Sequence, residues 1–221
     1  MASSIFVYNL SLSVPQIASK VYEILSSVPD DETSYFNLQL LSDDELSGEY
    51  VTVQTVEETF YNASERSFGQ RQAQKANIVN FNIYNNYLEI WGNKTNANRL
   101  VFAISTAFQN QISVNAIEIS IEDIVSKLHD HKVKVSKVCF EDFLFTEDIV
   151  GNFTVDLSSY GDAFSVLNKY KEKISRMTII LPCDGMALKI TISSKGAIMV
   201  YKSRDSFDDD ALDMLHSILL K

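Results

Sequence analysis

Short segments in which apolar residues alternate with polar ones recur along this chain of 221 residues, and five segments with helical spacing interrupt them. Alternation with a period of two is typical of strands that bury one face, whereas apolar residues three or four positions apart indicate helices. Polar turn residues separate most of the strand segments from their neighbours. The sequence therefore predicts an α+β fold, in which helices pack on an antiparallel-rich sheet.

The boundaries of these elements follow from the same patterns. Strands are predicted at residues 5–8, 36–40, 50–61, 78–83, 88–91, 112–119, 133–145, 153–157, 177–181, 188–192 and 198–201. Helices are predicted at residues 14–28, 96–108, 121–128, 160–174 and 207–220. Asn85-Asn86 is a candidate hairpin turn, because asparagine tolerates positive φ better than most residues. Residues 62–76 are polar and lack a clear period, so we expect a loop or a short exposed helix there.

A hairpin followed by a helix occurs twice, once from Phe81 and again from Ile190. The two copies are about 110 residues apart, which is the spacing expected for a duplicated strand–helix–strands–helix unit. We predict two α+β halves, 1–110 and 111–221, either as separate domains or within one continuous domain. Such a duplicated sheet is similar in topology to the saddle of the TATA-binding-protein fold. The resemblance implies a saddle face that can bind nucleic acid, although fold alone does not establish function.

The charge of the chain is unevenly distributed around a formal net value of −10. Residues 21–65 contain eleven acids and no Lys or Arg, and such a segment repels a phosphate backbone. The polar segment that follows is cationic, and later basic clusters include one around Lys134. Trp91, the only tryptophan, ends a strand, where an aromatic ring can anchor a partner. Our candidate partner-binding residues are Arg66, Arg71, Lys75, Trp91, Lys132, Lys134 and Lys137.

Catalytic signatures are weak in this sequence. His129 and His131 form a pair, but a zinc site uses three or four ligands, and histidines also suit the end of a helix. The Glu141-Asp142 pair lacks a converging third acid, and Cys139 and Cys183 have no nearby histidine base. The seven glycines are isolated, so no phosphate-cradling loop is present. We expect no metal and no cofactor, and the catalytic residues of an enzyme, if it is one, remain unknown.

These observations favour a non-enzymatic binding or assembly protein that acts through its surface on a protein partner or on a second copy. An accessory role in a bacterial or viral defence or counter-defence system would suit this character. Two alternatives stay open: a nucleic-acid-binding protein that uses the duplicated sheet, and an unrecognised hydrolase or metalloenzyme. With two cysteines and no positively charged leader or long apolar segment, we expect a cytoplasmic protein that does not contact a membrane.

Overall fold

The computed structural model describes residues 3–12, 17–128, 133–146, 149–183, 186–201 and 209–219. Within these ranges it contains five α-helices and a large antiparallel sheet of eleven strands, which confirms the predicted α+β fold. The helices are α1 (Ile17–Ser26), α2 (Lys94–Ala107), α3 (Ile121–Leu128), α4 (Ala163–Tyr170) and α5 (Asp209–Leu219). None of them is both long enough and apolar enough to span a membrane.

The strands lie close to the predicted positions. They are β1 (Ser3–Ser11), β2 (Ser34–Ser42), β3 (Glu45–Asn62), β4 (Ser67–Tyr84), β5 (Tyr87–Trp91), β6 (Ser113–Ala116), β7 (Lys134–Thr146), β8 (Ile149–Asp156), β9 (Ile174–Cys183), β10 (Met186–Ser193) and β11 (Ala197–Val200). Asn85 adopts a φ of 52° in the tight turn between β4 and β5, which confirms the predicted hairpin turn.

Residues 8–115 form one compact unit. Its strands follow the order β2-β3-β4-β5-β1, with α1 packed on β2 and β3 and α2 packed on β4. The buried ring of Phe81 lies opposite Gly48 on the neighbouring strand. A side chain at Gly48 would place its Cβ only 2.6 Å from the Phe81 ring, so the glycine makes room for this buried phenylalanine.

Residues 1–7 and 116–221 form the second compact unit, of which the structure describes the ranges given above. Its strands follow the order β1-β11-β10-β9-β7-β8, and α3 and α5 pack on β9. Ser120 accepts a hydrogen bond from the backbone N–H of Asp123 at 3.1 Å, so its side chain caps the N-terminus of α3. Strand β1 contributes residues to both units.

Two predicted segments differ from the structure. Residues 67–76 belong to β4 and are not a loop or a short helix, because each residue pairs in register with a partner on β3. The helix predicted at 160–174 ends at Tyr170, and a 3₁₀ turn over Lys171–Lys173 leads directly into β9. The polar composition of residues 67–76 does not predict a strand, because the residues that pair with them lie on another strand, β3.

The duplication stays a prediction. The first part of the chain, from β1 to α2, follows the order strand, helix, four strands, helix. The later part of the chain repeats a strand, a helix, further strands and a final helix, but α4 and β11 make it longer. A shared order of elements is a weak sign of common origin, since sheets and helices recur in few arrangements.

Candidate functional site

Strands β3 and β4 extend beyond their neighbours as a two-stranded ribbon. Strand β2 pairs with β3 only as far as Thr52, and β5 pairs with β4 only from Asn80 onward. Nine further cross-strand pairs, from Gln54–Lys75 to Asn62–Ser67, have no third strand beside them in the described chain. We call residues 54–75 the ribbon. At about 3.4 Å per residue, its paired part is roughly 30 Å long.

The ribbon brings together the acidic and basic segments singled out in the sequence. Arg71 forms an ion pair with Glu58 on the opposite strand at 3.2 Å, and its guanidinium lies 5.6 Å from the centre of the Phe60 ring. Arg66 lies in the turn with a φ of 48°, and Lys75 faces Gln54 across the pair. With three acids and three bases, the ribbon has no formal net charge. The two segments therefore partly neutralise each other within one molecule.

Three aromatic side chains are exposed at the end of the ribbon: Phe60, Tyr61 and Phe68. Phe68 is 76% exposed, and its ring centre lies 5.3 Å from that of Tyr61. The Phe60 ring lies over Gly69, where an added Cβ would come within 3.0 Å of it. Large aromatic residues are enriched among the side chains that dominate binding energy in protein interfaces. The end of the ribbon is therefore a candidate contact surface.

A second candidate surface covers one face of strands β7 to β11, which we call the polar face. Residues in register across adjacent strands form two rows on it, while the residues between them along each strand are buried in the core. The first row is Lys137, Thr178, Thr191 and Met199, and the second is Cys139, Arg176 and Ser193. Polar side chains at alternate positions of several strands thus meet on one surface.

The two rows enclose a cavity of about 320 Å³ on the polar face. Thr178 and Thr191 form its floor and are buried, with their hydroxyl oxygens 2.9 Å apart. Lys137 and Arg176 line one side, while Met199 and Tyr201 line the other. The cavity therefore has a cationic side, a hydroxyl-lined floor and a largely apolar side.

The electrostatics of the cavity favour an anion. Arg176 makes no ion pair with any described residue, and the Lys137 ammonium lies 3.9 Å from the Asp156 carboxylate. Both partners of that pair are substantially exposed, so the interaction is weak. Hydrogen bonds from the side chain and backbone of Ser158 lower the pKa of Asp156, and the charges of Lys137 and Lys189 lower it further. Asp156 is thus ionised at neutral pH and competes with an anionic ligand for Lys137.

The threonine pair on the floor yields a prediction on stability. Replacing only Thr178 with valine leaves the buried Thr191 hydroxyl without its partner, and we expect this to cost about 1–3 kcal/mol. Replacing both threonines with valine removes donor and acceptor together, so the double variant should unfold close to the wild-type denaturant concentration. Urea unfolding followed by far-ultraviolet circular dichroism measures the stability of the single and the double variant. Additive losses in the double variant would show that the hydroxyls do not depend on each other.

Other residues predicted as site candidates lie elsewhere. Trp91 is only 4% exposed, and its indole N–H donates to the carboxylate of Glu89, so its ring offers no face to a partner. Lys134 is exposed on β7, on the same face as Lys137. Lys132, His129, His131 and the side chain of Cys183 lie outside the described residues.

The acidic pair does reach a cavity, although not with a metal-binding arrangement. Glu141 and Asp142 line a shallow cavity of about 240 Å³ together with Glu172 and Lys173. Asp142 lies at an irregularity of β7 with a φ of 51°. In the part of the chain that the structure describes, no three His, Cys, Asp or Glu side chains are placed to hold a metal ion. Cys139 lies with its Sγ 3.3 Å from the hydroxyl of Thr154, at the edge of the larger cavity.

Sequence reasoning did not place Arg176 at this site, and it missed the threonine pair and the exposed aromatic residues of the ribbon. Each strand of the polar face does carry a signal, since polar residues at 176 and 178 alternate with buried apolar ones. That pattern shows which face a residue occupies and leaves open which strands are neighbours. Comparison of the chain with known protein families and with curated proteins finds no match.

Proposed function

We propose that this protein is a non-enzymatic binding protein that engages a protein partner through the ribbon. The observation that carries the proposal is the set of nine cross-strand pairs without a flanking strand in the described chain, which end in three exposed aromatic residues. The outer edges of such a ribbon present unpaired N–H and C=O groups, which can pair with a strand of another protein.

The sequence of the ribbon supports binding at its edges. Natural proteins protect exposed edges with prolines, bulges, short strands or many charges. Residues 54–75 contain no proline, and their register with each other runs without a shift. An edge of this length and regularity favours association, and the exposed ring of Phe68 supplies an anchor beside it.

Net charge decides the kind of partner. Each copy of the chain has a formal charge of −10, so two copies repel each other. The ribbon itself is neutral and does not repel a basic or neutral protein. We therefore propose a distinct protein of neutral or basic charge as the partner, which contributes an extended strand to the ribbon. A cytoplasmic location and a role in a defence or counter-defence system stay predictions.

Site-specific photocrosslinking tests this function. Phe68 is replaced by photoreactive benzoylphenylalanine in cells that naturally produce the protein, and covalent adducts are identified by mass spectrometry. The matched control carries the same residue at Phe102 on α2, which is 74% exposed compared with 76% for Phe68. We expect one protein adduct from position 68 that position 102 does not give. Equal adducts from both positions, an adduct between two copies, or an adduct to nucleic acid would contradict the proposal.

A further inference from the structure

We propose that the cavity on the polar face binds a nucleotide, with its phosphate between Lys137 and Arg176 and its base toward Met199 and Tyr201. This site is independent of the ribbon. The sequence predicts Lys137 as a contact residue, and only the pairing of distant strands places it beside Thr178. Its volume of about 320 Å³ lies within the usual range of small-molecule pockets, which is about 300–1,000 Å³.

The size of the cavity fits a nucleotide lying across the strands. Lys137 on β7 and Met199 on β11 belong to one row, separated by β9 and β10. Adjacent strands are about 4.8 Å apart, so three steps cover roughly 14 Å. A nucleoside monophosphate extends over a similar distance, with an anionic group at one end and an aromatic ring at the other. In the cavity, the cation Lys137 and the apolar side chain of Met199 lie at the two ends of this row.

The cations supply the phosphate-binding end. A guanidinium binds phosphate through two parallel N–H donors, and the Arg176 side chain has no carboxylate partner among the described residues. Among the described residues, the Lys137 ammonium pairs only with the Asp156 carboxylate, 3.9 Å away and exposed, which a phosphate can replace. Lys189 adds positive charge beside the apolar side, with its ammonium 5.5 Å from the centre of the Tyr201 ring. The chain as a whole has a formal net charge of −10, so this cluster of basic side chains is a local region of positive charge.

The floor supplies hydrogen bonds between the two ends. Thr178 and Thr191 share one hydrogen bond, so one hydroxyl hydrogen remains for an acceptor in the cavity. Ser4 and Ser193 add further hydroxyl groups to the lining. Ribose hydroxyls and phosphate oxygens both satisfy such groups. An unbranched hydrocarbon ligand would leave them unpaired, which argues against a lipid chain.

The same chemistry can come from a free mononucleotide or from one nucleotide of a single strand. Calorimetric titration separates the two sources at low salt, with the four common ribonucleoside 5′-monophosphates in one arm and a ten-residue oligothymidylate in the other. Arg176→Gln removes the phosphate contact, and Arg99→Gln on α2 is the control with the same loss of charge at an exposed position. We expect Arg176→Gln to weaken binding about tenfold or more and Arg99→Gln to leave it nearly unchanged.

Cys139 provides a second readout, because its thiol lines the cavity. In a Cys183→Ser background, a bound nucleotide should slow the reaction of Cys139 with a soluble thiol reagent. Binding of a monophosphate by itself identifies a free nucleotide, and binding of the oligothymidylate alone identifies a strand. The proposal is overturned if no probe binds at millimolar concentration, if both arginine variants bind equally, or if a saturating probe leaves the Cys139 rate unchanged. None of these outcomes depends on the ribbon or on its partner.

Discussion

Replacing Phe81 with alanine should lower the free energy of unfolding by about 3–5 kcal/mol, the usual cost of removing a buried phenylalanine. The ring is 1% exposed and meets the ring of Phe36 edge-on, with 6.5 Å between their centres. Gly48 lies opposite and has no side chain that could fill the space left behind. The cavity would therefore persist in the folded variant, and its surface would add to the loss of buried area.

Fluorescence of Trp91 during urea unfolding measures this effect within the same unit, since Trp91 is buried on β5. Phe102→Ala removes the same side chain from an exposed position, and we expect a change of only about 0.5 kcal/mol. Phe81→Leu keeps much of the buried volume, so its loss of unfolding free energy should lie between those of Phe81→Ala and Phe102→Ala. Similar losses for Phe81→Ala and Phe102→Ala would contradict the placement of Phe81 in the core.

Removal of the ribbon should abolish partner binding and leave the fold intact. In the variant, Val53 is joined to Ala76 through Asn-Gly, which closes a two-residue hairpin of the favoured type. In the described part of the chain, the excised residues pair along the backbone only with each other, and isolated two-stranded ribbons are marginally stable. We therefore expect the free energy of unfolding to change by about 1 kcal/mol or less.

Urea unfolding measures the stability of the excised variant. A capture assay measures its binding to the partner identified by photocrosslinking at Phe68. A Phe68→Ser variant keeps both edges of the ribbon and removes only the most exposed ring. If this variant retains part of the binding that the excision abolishes, the edges and the aromatic residues both contribute. Retention of full binding after excision would rule out the ribbon as the contact surface.

The charged segments are separate in the sequence but lie side by side in the structure. The acidic block and the basic residues after it suggest two separate binding regions when the chain is considered linearly. In the structure, Glu58 and Arg71 face each other across the ribbon at 3.2 Å. An exposed ion pair of this kind contributes little to stability, generally below about 1 kcal/mol. The ribbon is formally neutral because it holds three acids and three bases, so the aromatic end and the strand edges remain as its distinctive features.

The candidate cavity was only partly accessible to sequence reasoning. Lys134 and Lys137 were predicted as contacts because they cluster in the sequence, and both lie on the polar face. In the sequence, Arg176 follows a different group of basic residues, Lys169, Lys171 and Lys173. The structure separates them, since those lysines precede β9 on α4 and the 3₁₀ turn, whereas Arg176 pairs with Cys139 across the sheet.

The sequence by itself determined the class of fold and the position of most elements, because the periods of helices and strands are local properties of a few neighbouring residues. It also determined the hairpin turn at Asn85, because asparagine tolerates the positive φ that this turn requires. Only the tertiary structure decided that β3 and β4 extend beyond the neighbouring strands. It also decided that Lys137, Thr178 and Thr191 lie in one row across the sheet. Strand order and register depend on pairing between distant segments, and alternation within one strand is compatible with many partners.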